Sequence, residues 1–100
     1  MEFDPAVGSE IRKTRPGIIV SNNAANRNLS RVIVVPVTSN TERLFPGEAS
    51  VSVAGTPSKA MADQLMTADK VRLKTRVGEL SKADMHAVDA AMRVQLALSK

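Results

Sequence analysis

The stretch Arg31-Val32-Ile33-Val34-Val35-Pro36-Val37-Thr38 constrains this chain more than any other. Its residues are mostly β-branched, and such side chains are stiff at χ1 and pack well on a pleated surface. The stretch therefore reads as a strand. Pro36 has no N–H to give a ladder, which sets that end of the strand at a sheet edge or a bulge. A shorter run, Gly17-Ile18-Ile19-Val20-Ser21, reads as a buried strand bounded by Pro16 and by Asn22-Asn23. Residues 22–28, rich in asparagine, read as the loop that joins the two.

Ala49-Ser50-Val51-Ser52-Val53 alternates apolar with small polar residues, the period of a half-exposed strand, and follows a turn at Pro46-Gly47. Gly55-Thr56-Pro57 reads as another turn. Residues 60–68 suit either a helix or a strand, and Arg76-Val77-Gly78-Glu79-Leu80 reads as a short strand. The last segment is the clearest helix. Ser81, with Asp84 three residues on, makes a capping signature, and the carboxylate falls near the positive helix end. Met85, Val88, Met92 and Leu96 share one face; Ala87, Ala91, Val94 and Leu98 share nearly the opposite one. A helix apolar on two sides is usually wedged between two surfaces, here its own sheet and a second subunit, although alanines are also tolerated on exposed faces. The sum is a mainly β chain with α: short strands forming a small barrel, with a C-terminal helix added.

A chain of 100 residues supports one domain, spanning 1–100, with a small core. Phe3 and Phe45 are its only aromatics, so that core is built from Val, Ile, Leu, Ala and Met. Cysteine is absent, which excludes disulfides, thiolate metal sites and cysteine nucleophiles, and fits a reducing compartment. No apolar run approaches a membrane span, and the opening Met1-Glu2-Phe3-Asp4-Pro5 is acidic where a secretory signal is basic; the cytoplasm is the expected location. The net charge is +4 and the isoelectric point about 10.0. Between Glu10 and Arg76, eleven Lys/Arg face five Asp/Glu, against three and three from Glu79 to Lys100. Such an excess suits a polyanion or an acidic protein partner, and equally a plain soluble basic surface. No Asp/Glu/His cluster has ligand spacing and no glycine-rich phosphate loop appears, so neither metal nor nucleotide cofactor is expected. The lone histidine, His86, falls on the polar side of the helix with Arg93 and reads as solvated.

Three spaced blocks, in one order across essentially the whole chain, resemble the MazF/PemK family. The first is Phe3-Asp4-Pro5 with Gly8-Ser9-Glu10, then Lys13-Thr14-Arg15-Pro16 and Ile18-Ile19-Val20-Ser21-Asn22. The second is Val34-Val35-Pro36-Val37-Thr38-Ser39-Asn40. The third is Ala62-Asp63-Gln64-Leu65, then Val77-Gly78-Glu79-Leu80 and the closing helix. Two departures stand out. Family members usually carry a G-E-[IV]-W-x-[VA] strand before the F-D-P segment, and most of it is missing here: either the true start lies upstream, or the first strand is truncated, which would leave a neighbour's backbone groups unpaired. Gly17 stands where the family usually has Ala or Val, and glycine loosens a strand.

The resemblance implies a small SH3-like β-barrel (MazF/PemK/CcdB-like) with a C-terminal helix, and cleavage of single-stranded RNA without a metal. In that reaction the substrate's own 2′-hydroxyl attacks the adjacent phosphorus, so no protein nucleophile is needed. By resemblance, Arg15 and Thr38 match the catalytic pair, and Glu10, in a loop facing the site, is the candidate base or orienting group. A guanidinium forks onto two phosphate oxygens and stays charged, which suits charge stabilisation better than a literal base role. Ser39 adds a second hydroxyl. Arg12, Lys13, Asn22, Arg27 and Phe45 are the further RNA-binding candidates, with Arg31 and Arg43 also available for backbone contacts. The resemblance further implies a homodimer and a cognate acidic MazE-like antitoxin that covers the RNA groove. Two rival readings are a truncated, catalytically inactive relative that binds antitoxin, and a CcdB-like gyrase poison that shares the barrel and lacks nuclease activity.

Overall fold

In the computed structural model, which describes residues 6–11, 15–73 and 77–98 (the backbone alone at 6–11 and 15), the β-branched run is one strand from end to end. The chain order is β1 (Ala6–Ile11), β2 (Arg15–Ile19), α1 (Asn23–Asn28), β3 (Arg31–Thr38), β4 (Glu48–Val53), β5 (Thr56–Met61), β6 (Met66–Asp69), β7 (Gly78–Glu79) and α2 (Lys82–Gln95), with 3-10 turns at Ala62–Gln64 and Lys70–Arg72. Every pairing is antiparallel, along the path β4-β5-β3-β2-β1-β7. One edge of β3 takes β2. The other edge is divided: β6 pairs with Arg31 to Val34, and β5 with Val37 and Thr38. The expected mainly β architecture with a C-terminal helix is thus present; among the described residues β4 and β7 end the path unpaired with each other, so the barrel is open along that seam.

The prolines sit where the ladders need no donor. Val20 N–H donates to Ile33 O at 3.0 Å, so that pair is a hydrogen-bonded one. Antiparallel pairs alternate, and Gly17↔Pro36 lies three steps further in the same register. Pro36 is therefore a non-hydrogen-bonded position towards β2. Its nitrogen faces the other edge, in the gap between β6, whose pairing ends at Val34, and β5, whose pairing begins at Val37. The sequence placed Pro36 at an edge or bulge; it lies inside the sheet, at the change of neighbours. Pro57 pairs with Ser52 in β4, and Ser52 N–H turns away to Asp84 Oδ2 of α2 at 2.9 Å. That bond also occupies a donor on an edge strand, where an open one invites foreign pairing.

Alternation divides the core in two. Ile18, Val35, Val37, Ala49, Val51, Val53 and Ala60 pack on one face beneath Val88 and Ala91 of α2. Ile19, Val32, Val34, Ala68 and Leu73 pack on the other. Helix α2 is capped as its sequence indicates, with Asp84 N–H donating to Ser81 Oγ at 3.1 Å. It buries a single face: Met85, Ala87 and Met92 flank Val88 and Ala91, while Val94, Leu96 and Leu98 are exposed.

Four sequence expectations change. The asparagine-rich stretch is a short helix, not a loop. Asn22 caps it, accepting from Ala25 N–H at 2.8 Å. Asn26 is buried, donates to Ser21 O at 2.9 Å and accepts from Ser21 Oγ, whose oxygen accepts from Ile33 N–H at 3.0 Å. The turn placed at Gly55-Thr56-Pro57 is a two-residue hairpin at Ala54-Gly55, and β5 already starts at Thr56. The ambiguous residues 60–68 are the end of β5, a 3-10 turn and most of β6. The strand read at 76–80 is limited to Gly78–Glu79, with Arg76 outside the described residues.

Candidate functional site

Register builds the site. Thr38, the last residue of β3, pairs with Lys59 of β5, and Lys59 pairs with Ser50 of β4. On the other side the β2–β3 register runs from Ile19↔Val34 to Gly17↔Pro36. It stops there for a physical reason: the next hydrogen-bonded pair needs an N–H from residue 16, and Pro16 has none. Continued two residues past its last pair, the same register would set the Arg15 backbone against Thr38. Directly opposed residues share a sheet face, so Thr38, Lys59 and Ser50 occupy one row across three strands. Val37, Ala60 and Ala49, one step out of phase, face the core beneath α2.

The loop between β3 and β4 is tied to this row. Thr38 Oγ1 accepts from Asn40 N–H, and Asn40 Oδ1 from Glu42 N–H, both at 3.2 Å. Lys59 Nζ donates to Arg43 O at 2.7 Å and meets Glu48 Oε1 at 3.0 Å. Glu48 Oε1 also accepts from Phe45 N–H at 3.0 Å, and Glu48 N–H donates back to Phe45 O at 2.9 Å. Burial pushes the Glu48 carboxyl up, but the Phe45 N–H and the Lys59 ammonium hold it, on balance, below the ordinary glutamate value. The Phe45 ring is 51% exposed and lies near two cations, Lys59 Nζ at 5.7 Å and the Arg43 guanidinium carbon at 6.0 Å from its centroid.

The sequence-based candidates divide accordingly. Arg15 begins β2, two residues before its first pair with β3 and towards the Thr38 end of that strand, and Ser39 follows Thr38, exposed. Glu10, expected in a loop, is in β1, opposite Pro16 and out of phase with Arg15, whose partner there is Ile11. Phe45 joins the row through Lys59. Asn22 and Arg27 do not: they lie at α1, beyond the other end of β2, and the Asn22 amide is used in capping. Arg31 begins β3, a strand's length from Thr38. Arg12 and Lys13 lie outside the described residues. His86 is exposed on α2. Among the described residues no three His, Cys, Asp or Glu gather as a metal site, and no helix is long and apolar enough to cross a membrane. Lys59 and Glu48 escaped the sequence reading. The one available signal was that Lys59 alternates with the core positions Ser58 and Ala60, which sets it on the outer face.

Fold and site together define a small basic barrel protein with a cationic, hydroxyl-bearing row at the end of its central strand. Residues 1–96 match the family model described as PemK-like, MazF-like toxin of type II toxin-antitoxin system, and the chain belongs to that family. It is similar to endoribonuclease MazF9 of Mycobacterium tuberculosis, 35% identical over 98% of this chain and 91% of that protein. It is 28% identical to endoribonuclease EndoA of Bacillus subtilis over 97% of this chain and 88% of the relative. Among solved structures, an endoribonuclease in complex with its cognate antitoxin from Mycobacterial species superposes with a TM-score of 0.88 at 29% identity, covering 100% of this chain and 99% of that one.

Proposed function

We propose that this chain is a MazF-type toxin endoribonuclease that cuts single-stranded RNA at selected sequences without a metal, and so inhibits translation and growth in the cytoplasm. The observation that carries the reading is the Thr38–Lys59 row at the end of β3, towards which the β2–β3 register, if continued, would bring Arg15. RNA brings its own nucleophile. The 2′-hydroxyl loses its proton and bonds to the adjacent phosphorus; the bond from phosphorus to the 5′-oxygen breaks, and that oxygen takes up a proton. The products are a 2′,3′-cyclic phosphate and a 5′-hydroxyl. The protein's task is to offset charge on the phosphorane and to manage the two protons. Arg15 stays charged and forks onto the non-bridging oxygens. Thr38 donates to one of them, and Ser39 adds a second hydroxyl. Glu10 stands out of phase with Arg15, which favours an orienting role over direct proton transfer. Arg12, Lys13 and Phe45 are the contacts proposed for the rest of the strand, and Asn22 and Arg27, beyond the other end of β2, are left out of it.

The chain works as a homodimer in this reading, supported by Val94, Leu96 and Leu98 left exposed at the end of α2. An acidic antitoxin segment over the basic face would block RNA. Mapping cleavage ends on a long RNA in EDTA is the decisive experiment. Cuts at one short motif, each leaving a cyclic phosphate, are expected, and Arg15→Ala should abolish them while antitoxin binding persists. An intact RNA at every protein concentration would reject the nuclease in favour of an inactive relative or a gyrase poison.

A further inference from the structure

We propose that Phe45 is a preformed stacking platform for a nucleobase flanking the cleaved bond, and that Lys59 and Glu48 are the positioning residues that hold it there; the proposal rests on the RNA-cleaving reading above. A half-exposed phenylalanine in a chain with almost no aromatics is notable for how it is held. Lysine is almost never buried unless paired, yet the Lys59 side chain is only 12% exposed. Two of its three protons are committed, to Glu48 Oε1 and to Arg43 O. Its stem therefore ends beside the Phe45 ring instead of in solvent. Glu48 meanwhile fixes both backbone groups of residue 45, accepting from its N–H and donating to its carbonyl.

Every part of this lock leads back to the row. Lys59 is the register partner of Thr38, so the residue that orients the ring stands beside the proposed catalytic hydroxyl. A ring fixed before binding loses little freedom when a base stacks on it, and such preorganisation raises affinity by lowering the cost of ordering. The flanking Arg43 and Lys59 charges suit the phosphates on either side of a stacked base. An ordinary turn would need neither a desolvated lysine nor an exposed ring.

The test uses an oligonucleotide copied from the mapped cleavage site, with the attacking 2′-hydroxyl replaced by hydrogen so that nothing is cut, and with 2-aminopurine placed in turn at each flanking base. The chain has no Trp or Tyr to interfere with its fluorescence. Quenching at one flanking position is expected on binding. Phe45→Ala should remove that quenching and weaken binding about 5- to 150-fold, the fold-change equal to the roughly 1–3 kcal/mol of a base–aromatic stack, whereas Phe45→Tyr should keep both. Lys59→Met and Glu48→Gln should weaken binding and raise KM for cleavage more than they lower kcat, with Lys59→Arg restoring most of the loss. Circular dichroism on each variant accounts for any unfolded fraction. Parental affinity in folded Phe45→Ala, with wild-type cleavage intact, overturns the platform and leaves the nuclease standing. If the wild-type chain neither binds nor cuts RNA, both proposals fail together.

Discussion

The two ends of β3 carry the same pleat to opposite purposes. At its first end, Val32 and Val34 are buried with Ile19, Ala68 and Leu73 beneath the pairing with β6. At its last end, in the same alternation phase, Thr38 is half-buried in a row with Lys59. What separates them is the change of neighbour at Pro36. One end of the strand is bound for stability, and the other is left with polar groups that its own fold does not use up. The contrast predicts a double dissociation. Thr38→Val should lower cleavage about 100-fold or more, the scale for losing one donor to a developing oxyanion, with stability shifted by no more than about 0.5 kcal/mol. Val34→Ala should cost about 2 kcal/mol by urea denaturation and leave the turnover of the folded fraction near parental. A Thr38→Val protein that cuts normally, or one that unfolds, would erase the distinction between the ends.

The first end has its own polar element, and it is structural. Asn26 joins α1 to Ser21, and Ser21 takes the Ile33 N–H. Asn26→Ala would strand buried groups, which costs roughly 1–3 kcal/mol. In a domain of this size that lowers the thermal midpoint by about 4 °C or more. RNA affinity, measured well below the midpoint, should stay within about twofold of parental. A loss of RNA affinity without loss of stability would move the functional surface to the α1 end, where Asn22 and Arg27 lie.

The strands were legible where side-chain chemistry alone decides. Val32 to Val37 leave little choice but an extended chain, and the Ser81 cap with its Asp84 partner fixed the start of α2. The asparagine stretch was misread because its helix is held by tertiary bonds: Asn26 is buried only because Ser21 and Ile33 meet there. The two-sided pattern of α2 is only partly filled by its own sheet: Val88 and Ala91 are buried while Val94, Leu96 and Leu98 are exposed, because period counts apolar residues without saying what covers them. For the site, resemblance named Arg15 and Thr38, but the pairing of Thr38 with Lys59 follows from strand register, which no single segment encodes. Lys59 and Glu48 were invisible for the same reason, since their meaning lies in what stands across from them.

Glu48 allows the polar end to be loosened by acid alone. Its carboxyl titrates below the ordinary glutamate value in the folded chain. A depressed folded value means that the stabilisation is complete above the unfolded value, about 4.3, and is lost as pH falls through the lower, folded one. The Phe45 ring resonances should therefore shift in that acid range, ahead of those of Val32 and Val34. Glu48→Gln should flatten the transition, because an amide cannot titrate. If Val32 and Val34 move together with Phe45 in the wild-type chain, the two ends are one cooperative unit.

The smallest effect belongs to the hairpin that carries Lys59 and Glu48. Its turn residues Ala54 and Gly55 have φ of 49° and 85°. Two positive φ values in a two-residue connection define a type I′ turn, which suits Asn-Gly, and alanine at the first position pays a steric penalty. Ala54→Asn should therefore raise stability by about 0.5–1 kcal/mol, read as a higher urea midpoint at unchanged slope. Ala54 is exposed and far along the hairpin from Lys59, so cleavage kinetics should not change. That outcome would mean the row depends on register and on the Glu48–Lys59 pair, with hairpin stability already sufficient. A rise in kcat alongside stability would instead mean that the hairpin frays in the working protein, and that the polar end of β3 is limited by how firmly β5 is held against it.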